Sequence, residues 1–294
     1  MVTGGAGFIG HHLVNRLLEN YKVAIVDNLS GGNNIIKHQN TSFYKEDVRN
    51  TETLKEIIKR EKIDSCIHLA ARISIRESES ETVSTNVDGT LSVLNACVEN
   101  EVKNFVLASS AAVYGEAKFL PITEDHPLNP ISQYGASKIE AEKIVVSFKK
   151  SNRVQNAVCL RLFNVYGAGQ NMEYAGVITK FADRIRNKLS PIIYGNGEQT
   201  RDFISVRDAV NAIVLSLQIS GTFNIGTGHP VSIRQLADKM LKITPLNIGP
   251  IYQQRNMENE IKHSVADTSK AAQILKFVAK DKLDDSLKSL MFSG

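Results

Sequence analysis

Apolar residues follow two alternating patterns along the first half of the chain. Short continuous apolar runs, which are typical of buried strands, occupy residues 22–27, 42–44, 63–70, 103–109 and 157–162. Between these runs, apolar residues recur at helical spacing from Phe8 onward and over residues 51–60, 82–100 and 132–150. Apolar strands separated by helices predict a parallel sheet that is covered on both faces.

The pattern changes after about residue 166, where the elements become shorter and mixed. Helical spacing returns at 206–217, 232–241, 268–275 and 281–291, and residues 222–225 predict a strand. We therefore predict an α/β fold with a Rossmann-type, doubly wound parallel sheet over 1–165, to which 206–228 returns. A smaller mixed α/β substrate-binding domain is predicted over 166–294, with the ligand cleft between the two domains.

Composition excludes several classes of protein from consideration. The chain has 294 residues, 42% of them hydrophobic, and a net charge of +4. It contains no apolar run of membrane-spanning length, no signal peptide pattern and no long Lys/Arg run, so we expect neither a membrane nor a nucleic-acid partner. Cys66, Cys97 and Cys159 lie in apolar stretches, which predicts buried free thiols in a reducing cytoplasm. The histidines and cysteines show no metal-ligand spacing, so we expect no metal.

A glycine-rich turn opens the chain between a strand end and a helix start. Val2 and Thr3 predict the end of a strand, and Gly4, Gly7 and Gly10 follow at G-x-x-G-x-x-G spacing. Glycines let the backbone approach a ligand closely, and the N–H groups and dipole of a helix N-terminus favour negative charge. The turn predicts either a pyrophosphate cradle or an ordinary tight turn, and residues further along the chain must decide.

An aspartate ends the second predicted strand. A carboxylate at the position of Asp27 can accept hydrogen bonds from an adenosine ribose and would repel a 2′-phosphate. This favours NAD over NADP, although Asp27 is also an acceptable surface turn residue.

A tyrosine, a lysine and a serine are the candidate catalytic residues. Tyr134 and Lys138 have i, i+4 spacing at the start of helix 132–150, so they share one helix face. A phenol near a fixed cation loses its proton more easily and can act as a general base. Ser110 follows the strand 103–109, at the sheet edge where ligands bind, and its hydroxyl can meet a substrate hydroxyl unless it is merely a turn serine.

The motifs together give the chain a resemblance to a known family. It resembles the extended short-chain dehydrogenase/reductases, and among them the UDP-glucose 4-epimerases of the NAD-dependent epimerase/dehydratase family. The motifs that carry this resemblance are VTGGAGFIG (2–10), VDNLS (26–30), HLAA (68–71), NVDGT (86–90), SSAAVYG (109–115), YGASK (134–138), RLFNVYG (161–167), RDFISVRD (201–208) and FNIGTG (223–228).

The resemblance implies a role for each candidate site residue. The cofactor would be NAD, held by Gly4, Gly7, Phe8, Ile9, Gly10, Asp27, Asn28, Asp47, Val48, Leu69, Ala70, Ala71, Asn86, Tyr134, Lys138 and Phe163. A UDP-sugar substrate would be held by Ser110, Tyr134, Asn164, Val177, Tyr194, Arg201, Arg255 and Ser264. Tyr134 would take the proton of the sugar 4-hydroxyl while Lys138 lowers its pKa, and hydride would leave C4 and return to the opposite face.

Three positions depart from the family pattern or refine it. Related dehydratases and decarboxylases carry acidic residues where this chain has Ala111 and Ala112, which favours plain epimerisation. Arg255 lies two residues further upstream of the Asp267 segment than the family pattern has its arginine, so either Arg255 or Lys262 is expected to meet the phosphate. The small Ser264 predicts that N-acetylated UDP-sugars are accepted.

Other functions remain open at this point. UDP-glucuronate 4-epimerases, dehydratases and reductases share these motifs, and a non-catalytic NAD-binding regulator would share the fold. The two long helices match those through which family members form homodimers, although their apolar stripes could also face the sheet. Only Met1–Thr3 precede Gly4, so the first strand is either short or truncated in this chain.

Overall fold

A computed structural model describes residues 1–73, 79–254 and 260–292. The elements of the first half are β1 (Val2–Thr3), α1 (Phe8–Leu17), β2 (Val23–Val26), β3 (Thr41–Tyr44), α2 (Thr51–Glu61), β4 (Ser65–His68), α3 (Glu79–Val83), α4 (Gly89–Glu99), β5 (Asn104–Ser110), α5 (Gln133–Lys150) and β6 (Asn156–Leu162). Those of the second half are β7 (Asn164–Tyr166), α6 (Val177–Arg186), β8 (Ile192–Tyr194), β9 (Thr200–Ser205), α7 (Val206–Leu215), β10 (Gly221–Ile225), β11 (Pro230–Ser232), α8 (Ile233–Lys242), β12 (Ile251–Gln253) and α9 (Leu283–Phe292).

The main sheet confirms the predicted doubly wound α/β architecture. Within the described residues it has seven parallel strands in the order β10-β6-β5-β4-β1-β2-β3. The strand order reverses direction at β1, which pairs with β2 on one side and β4 on the other. In open α/β sheets this switch point, at the carboxyl ends of the strands, is where ligands bind.

Buried apolar side chains cover both faces of the main sheet. One face packs against α1 and α7 through residues that include Leu13, Val14 and Ile213. The opposite face packs against α2, α4 and α5 through residues that include Leu54, Leu94 and Val145. Burial on both faces explains why the strands are apolar throughout rather than alternating.

A smaller mixed region follows β6. The order β11-β9-β7 forms a second sheet with one antiparallel and one parallel pairing, and β12 pairs with β8. Its own core lies between α6, α8 and α9. The later segment β10 pairs with β6 in the main sheet, so the chain crosses between the two regions more than once. The division into domains at residue 165 stays a prediction.

The helix that periodicity predicts over 82–100 is not one regular helix. It consists of α3, a π-helical turn at Ser84–Asp88, and α4. The last predicted helices are also shorter, with a π-helical turn at Ala271–Leu275 and α9 beginning at Leu283. A π turn inserts one extra residue and rotates the side chains after it, and such turns are frequent at functional sites. Hydrophobic periodicity cannot distinguish this insertion from an ordinary α-helix.

None of the helices in the described ranges is both long and apolar enough to cross a membrane.

Candidate functional site

The glycine-rich turn between β1 and α1 is compact and leaves no room for a side chain at Gly4 or Gly10. Gly4 has a φ of +71°, which favours glycine, and its N–H donates to Val26 O at 2.9 Å. A Cβ on Gly10 would lie 2.1 Å from Gly4 O, closer than any real contact. The N-terminus of α1 therefore packs directly on the turn that follows β1. This is the geometry of an anion cradle.

The turn forms one wall of a cavity of about 430 Å³ at the switch point of the sheet. Of the residues expected to bind the cofactor, the cavity is lined by Gly4, Gly7, Phe8, Ile9, Gly10, Asp27, Asn28, Val48, Leu69, Ala70, Ala71, Tyr134, Lys138 and Phe163. Thus most of the residues expected to bind the cofactor, which are spread over the first half of the sequence, line one cavity.

The carboxylate at the end of β2 is fixed by backbone groups. Asp27 Oδ2 accepts from Ala6 N at 3.0 Å, and Oδ1 accepts from Leu29 N at 2.7 Å. Burial raises the pKa of Asp27, and these two backbone hydrogen bonds oppose that effect. The carboxylate thus ties the glycine turn to the β2 loop while facing the cavity.

Two expected cofactor residues do not line the cavity. Asp47 Oδ2 lies 2.8 Å from Arg49 Nη2, and this pairing lowers the pKa of Asp47 to about 2. Asp47 is linked to the cavity wall through Asn28, whose Nδ2 donates to Asp47 Oδ2 at 3.4 Å. Asn86 is buried behind the wall, where its Oδ1 accepts from Arg72 N at 2.7 Å and its Nδ2 donates to Ser137 Oγ at 2.9 Å. Asn86 therefore supports the wall rather than forming it.

The neighbouring threonine lines the cavity in place of Asn86. Thr85 lies in the π-helical turn, is buried, and has a hydroxyl without a hydrogen-bond partner among the described residues. A buried hydroxyl left unpaired is unfavourable, so an unpaired one on a cavity wall indicates a ligand that pairs with it. Sequence reasoning missed Thr85 because the π turn is not visible in the hydrophobic pattern.

Close packing brings the candidate catalytic residues together. Ser132 Oγ accepts from Gly135 N at 3.1 Å and so caps the first turn of α5, which carries Tyr134. A Cβ on Gly135 would lie 2.5 Å from Ala112 O, in the turn that follows β5. This glycine lets α5 approach the end of β5, and Tyr134, Lys138 and Ser110 consequently line the same cavity.

The pKa of the Tyr134 phenol differs from the expectation that the neighbouring Lys138 lowers it. Burial raises the pKa of the Tyr134 phenol, and its hydrogen bond with Ser110 opposes that rise. Lys138 Nζ lies 5.8 Å from the centre of the Tyr134 ring and donates to Ala108 O at 2.9 Å. Burial lowers the pKa of Lys138 to about 8. Among the protein's own groups, the net effect on the phenol pKa is thus upward, so a lowered pKa requires positive charge from a bound ligand.

The histidine of the HLAA segment is a core residue. His68 Nδ1 lies 2.7 Å from Thr3 Oγ1, and Nε2 lies 3.1 Å from Thr90 Oγ1. Burial, with the nearby Lys138 charge, lowers the pKa of His68 to about 3. The ring is therefore neutral at physiological pH. The cysteines Cys66, Cys97 and Cys159 are free and buried, as the sequence predicts.

A second cavity of about 520 Å³ adjoins the first. The two share Asn164, Val165 and Gln170, and the second is also lined by Val177, Tyr194 and Arg201. Arg201 is held through its Nη1, which donates to Thr200 O at 2.9 Å, and its Nη2 lies 3.6 Å from Glu260 Oε1. Burial lowers the pKa of Arg201, and its planar donor fork suits a phosphate group.

Two expected substrate residues are not part of these walls. Ser264 is buried beside β9, where its N–H donates to Thr200 O at 3.2 Å, and it lines neither cavity. Arg255 lies outside the described residues. The described part of the chain contains no cluster of His, Cys, Asp and Glu side chains able to hold a metal ion.

Comparison with known proteins adds to this geometry. The family model of the NAD dependent epimerase/dehydratase family matches residues 1–226. The UDP-glucose 4-epimerase of Lactobacillus helveticus is 34% identical over 97% of this chain and 93% of its own length.

Two solved structures share nearly the whole fold. A UDP-N-acetylglucosamine 4-epimerase from Methanobrevibacter ruminantium M1 has a TM-score of 0.91 and 37% identity, covering 99% of this chain and 96% of its own. The UDP-glucose 4-epimerase of Thermotoga maritima, solved with UDP-glucose, has a TM-score of 0.92 and 34% identity, with the same coverage of 99% and 96%.

Proposed function

The chain belongs to the NAD dependent epimerase/dehydratase family, and from this premise we propose that it inverts C4 of a UDP-hexose through a 4-keto sugar. One observation carries the proposal. Tyr134, Lys138 and Ser110 line the same cavity as the glycine turn, and this cavity joins a second one that is lined by the half-buried Arg201. A dinucleotide and a sugar diphosphate thus have adjacent sites, with a phenol where they meet.

The residues of the first cavity fit NAD. The turn at Gly4, Gly7 and Gly10 leaves space and N–H groups for a pyrophosphate, and Asp27 supplies a carboxylate for the adenosine ribose. The carboxylate would repel the 2′-phosphate of NADP. When bound, NAD supplies the redox chemistry by accepting the C4 hydride and returning it.

The catalytic residues handle the proton of the sugar 4-hydroxyl. Tyr134, as phenolate, takes this proton directly or through Ser110, whose Oγ already accepts from Ala112 N at 3.1 Å and so keeps its own proton to donate. Lys138 keeps a positive charge near the phenol and would hold the nicotinamide ribose when NAD is bound. On the return step, Tyr134 gives the proton back to the new 4-hydroxyl.

The second cavity holds the nucleotide while the sugar turns. We assign Asn164 and Arg201 to the diphosphate, and Val177 and Tyr194 to the uridine. A keto sugar that rotates about its bond to the diphosphate can present its opposite face to the same nicotinamide. Ala111 and Ala112, directly after Ser110, offer no acid or base for elimination of water, which favours epimerisation over dehydration.

Arg201→Met is expected to raise the KM for the UDP-sugar about 10- to 100-fold, because a charge-assisted hydrogen bond to the diphosphate is lost. The NAD content of the purified protein is expected to stay unchanged, since Arg201 lines only the second cavity. Initial rates over a range of UDP-glucose concentrations measure the effect. Arg234→Met, which removes an exposed ion pair with Glu198 at 3.0 Å, is the matched control, and equal KM values in both variants would contradict the assignment.

Thr85→Val is expected to weaken NAD binding about 5-fold, because the hydroxyl that faces the cavity loses its ligand partner. Isothermal titration with NAD, after removal of any bound cofactor, measures the change. Thr82→Val is a close control, since the Thr82 hydroxyl is also buried without a described partner but is not on the cavity wall. If both variants bound NAD as tightly as the wild type, Thr85 would have no role in the cofactor site.

A product analysis by NMR tests the proposed function directly. The protein is incubated separately with UDP-glucose, UDP-N-acetylglucosamine and UDP-glucuronate, without added cofactor. The proposal predicts the C4 epimer of UDP-glucose. Similarity to a UDP-N-acetylglucosamine 4-epimerase leads us to propose that the N-acetylated sugar is also converted. The small Ser264 lines neither cavity, so it does not support this proposal as the sequence predicted. A 4-keto-6-deoxy product would instead indicate a dehydratase.

We further propose that the protein acts as a homodimer in the cytoplasm. Val83 and Leu91 on the α3–α4 segment and Val146 on α5 are apolar and exposed, which supports contact with a second copy through these helices. The buried free thiols suit a reducing compartment. Sedimentation velocity tests the dimer, and a monomer at micromolar concentration would contradict it.

A further inference from the structure

A buried carboxylate lies one helical turn after Lys138 on the same face of α5. Glu142 is only 5% exposed, and Lys138 is only 3% exposed. The i, i+4 spacing places the two side chains side by side on the helix. Carboxylates are almost never buried unless they are paired, so the surroundings of Glu142 require an explanation.

Two strands of the main sheet hold this carboxylate. Ser109 Oγ, at the end of β5, donates to Glu142 Oε1. Arg161 on β6 donates to the same carboxylate through Nε at 3.0 Å and through Nη2 at 2.7 Å. The arginine is itself fixed, because its Nη1 donates to Tyr114 Oη at 2.9 Å. Glu142 therefore links the catalytic helix to the strand that ends in Ser110.

Stability alone is a weak reason for this arrangement. A buried ion pair costs desolvation on both sides, and well-packed apolar residues of similar volume are often equally stable. The network instead converges on catalytic groups, since Ser109 is adjacent to Ser110 and Glu142 follows Lys138 by one turn. This convergence indicates that Glu142 has a role in the catalytic site.

With Tyr134 protonated, the other titratable groups around Lys138 carry no negative charge at neutral pH. His68 on β4 is neutral, and burial raises the pKa of Cys159 on β6, so that its thiol stays protonated. Tyr134 lies on the same helix and has a raised pKa. Among the groups that the structure describes here, Glu142 is the anion whose charge opposes the effect of burial on the Lys138 pKa.

We propose that Glu142 is a positioning residue: it aligns α5 with the end of β5 through Ser109 and Arg161, and it holds Lys138 as an ammonium. This rests on the proposed function of Tyr134 and Lys138. With Lys138 charged only below its pKa of about 8, activity falls as pH rises through that value. Removal of the Glu142 charge would move this fall to lower pH.

Glu142→Gln tests the inference through two readouts. The alkaline limb of kcat/KM for UDP-glucose is expected to move to lower pH by about 1 pH unit. The second readout needs no activity: the ¹³Cε resonance of Lys138, assigned by its loss in Lys138→Met, should titrate at correspondingly lower pH. Ser109→Ala breaks one contact of the carboxylate but keeps its charge, so both titrations should stay close to those of the wild type.

The outcomes separate this inference from the proposed function. If the wild type converted no UDP-sugar, the proposed function would fail, while the ¹³C titration would still test Glu142. If Glu142→Gln titrated like the wild type in both readouts, the inference would be overturned. Should an unpaired Arg161 prevent folding, the double variant Glu142→Gln/Arg161→Met removes both charges. A smaller shift in the same direction is then expected, because loss of the guanidinium partly offsets loss of the carboxylate.

Discussion

Tyr134→Phe is expected to lower kcat for UDP-glucose epimerisation roughly 1,000-fold, because the ring remains but the proton acceptor is lost. Phenylalanine fits the space of the tyrosine ring in the first turn of α5, so the cavity and the glycine turn should keep their shape. The NAD content of the purified variant should therefore equal that of the wild type. Product formation followed by NMR, together with NAD measured after denaturation, gives both values.

Tyr21→Phe is the control for this prediction. Tyr21 is 52% exposed and lies far along the chain from the catalytic helix, so the same loss of a hydroxyl should leave kcat unchanged. Full activity in Tyr134→Phe would remove the phenol from the mechanism. Loss of activity together with loss of NAD would indicate that Tyr134 acts in cofactor binding instead.

Gly10→Ala is expected to weaken NAD binding about 100-fold, since the added methyl group would lie 2.1 Å from Gly4 O and 2.7 Å from Gly5 Cα. Both neighbours are backbone atoms of the turn, so α1 must move away from the pyrophosphate site to relieve the overlap. The purified variant should contain little NAD. Cofactor content and the affinity for added NAD measure the effect.

Gly31→Ala distinguishes this local effect from a general sensitivity of the cavity. Gly31 also lines the first cavity, but a Cβ there would have no atom within 4 Å. This variant should purify with as much NAD as the wild type. A thermal melt of Gly10→Ala separates loss of the cofactor from unfolding. A folded Gly10→Ala variant with a full complement of NAD would contradict the assignment of the turn.

The features that sequence predicted well are local ones. The turn at Gly4, Gly7 and Gly10 and the pair Tyr134 and Lys138 are set by spacing within a few residues, and the structure brings both to one cavity. Their roles stay predictions. The parallel sheet was also predictable, because strands buried on both faces leave continuous apolar runs. What sequence could not give is the approach of α5 to β5, which depends on Gly135 packing against Ala112 O.

The differences between the expected and the observed site have two physical origins, irregular backbone and side-chain pairing. The π-helical turn at Ser84–Asp88 places Thr85 on the cavity wall and Asn86 behind it. The hydrophobic pattern predicts a regular helix here, and it therefore does not predict that Thr85 takes the place of Asn86. Asp47 is drawn away from the cavity by Arg49, a pairing that the sequence offers but does not require. Glu142 escaped notice because its partners, Ser109 and Arg161, come from two different strands.

The central claim is that one bound NAD removes and returns the same C4 hydride, with Tyr134 handling the proton. The most direct measurement is ¹H NMR of UDP-glucose incubated with the protein in D₂O without added cofactor. We predict that UDP-galactose forms and that C4 of both sugars keeps its protium, because the hydride never exchanges with solvent. Absence of UDP-galactose, deuterium at C4, or release of reduced nicotinamide in step with substrate consumption would contradict the account.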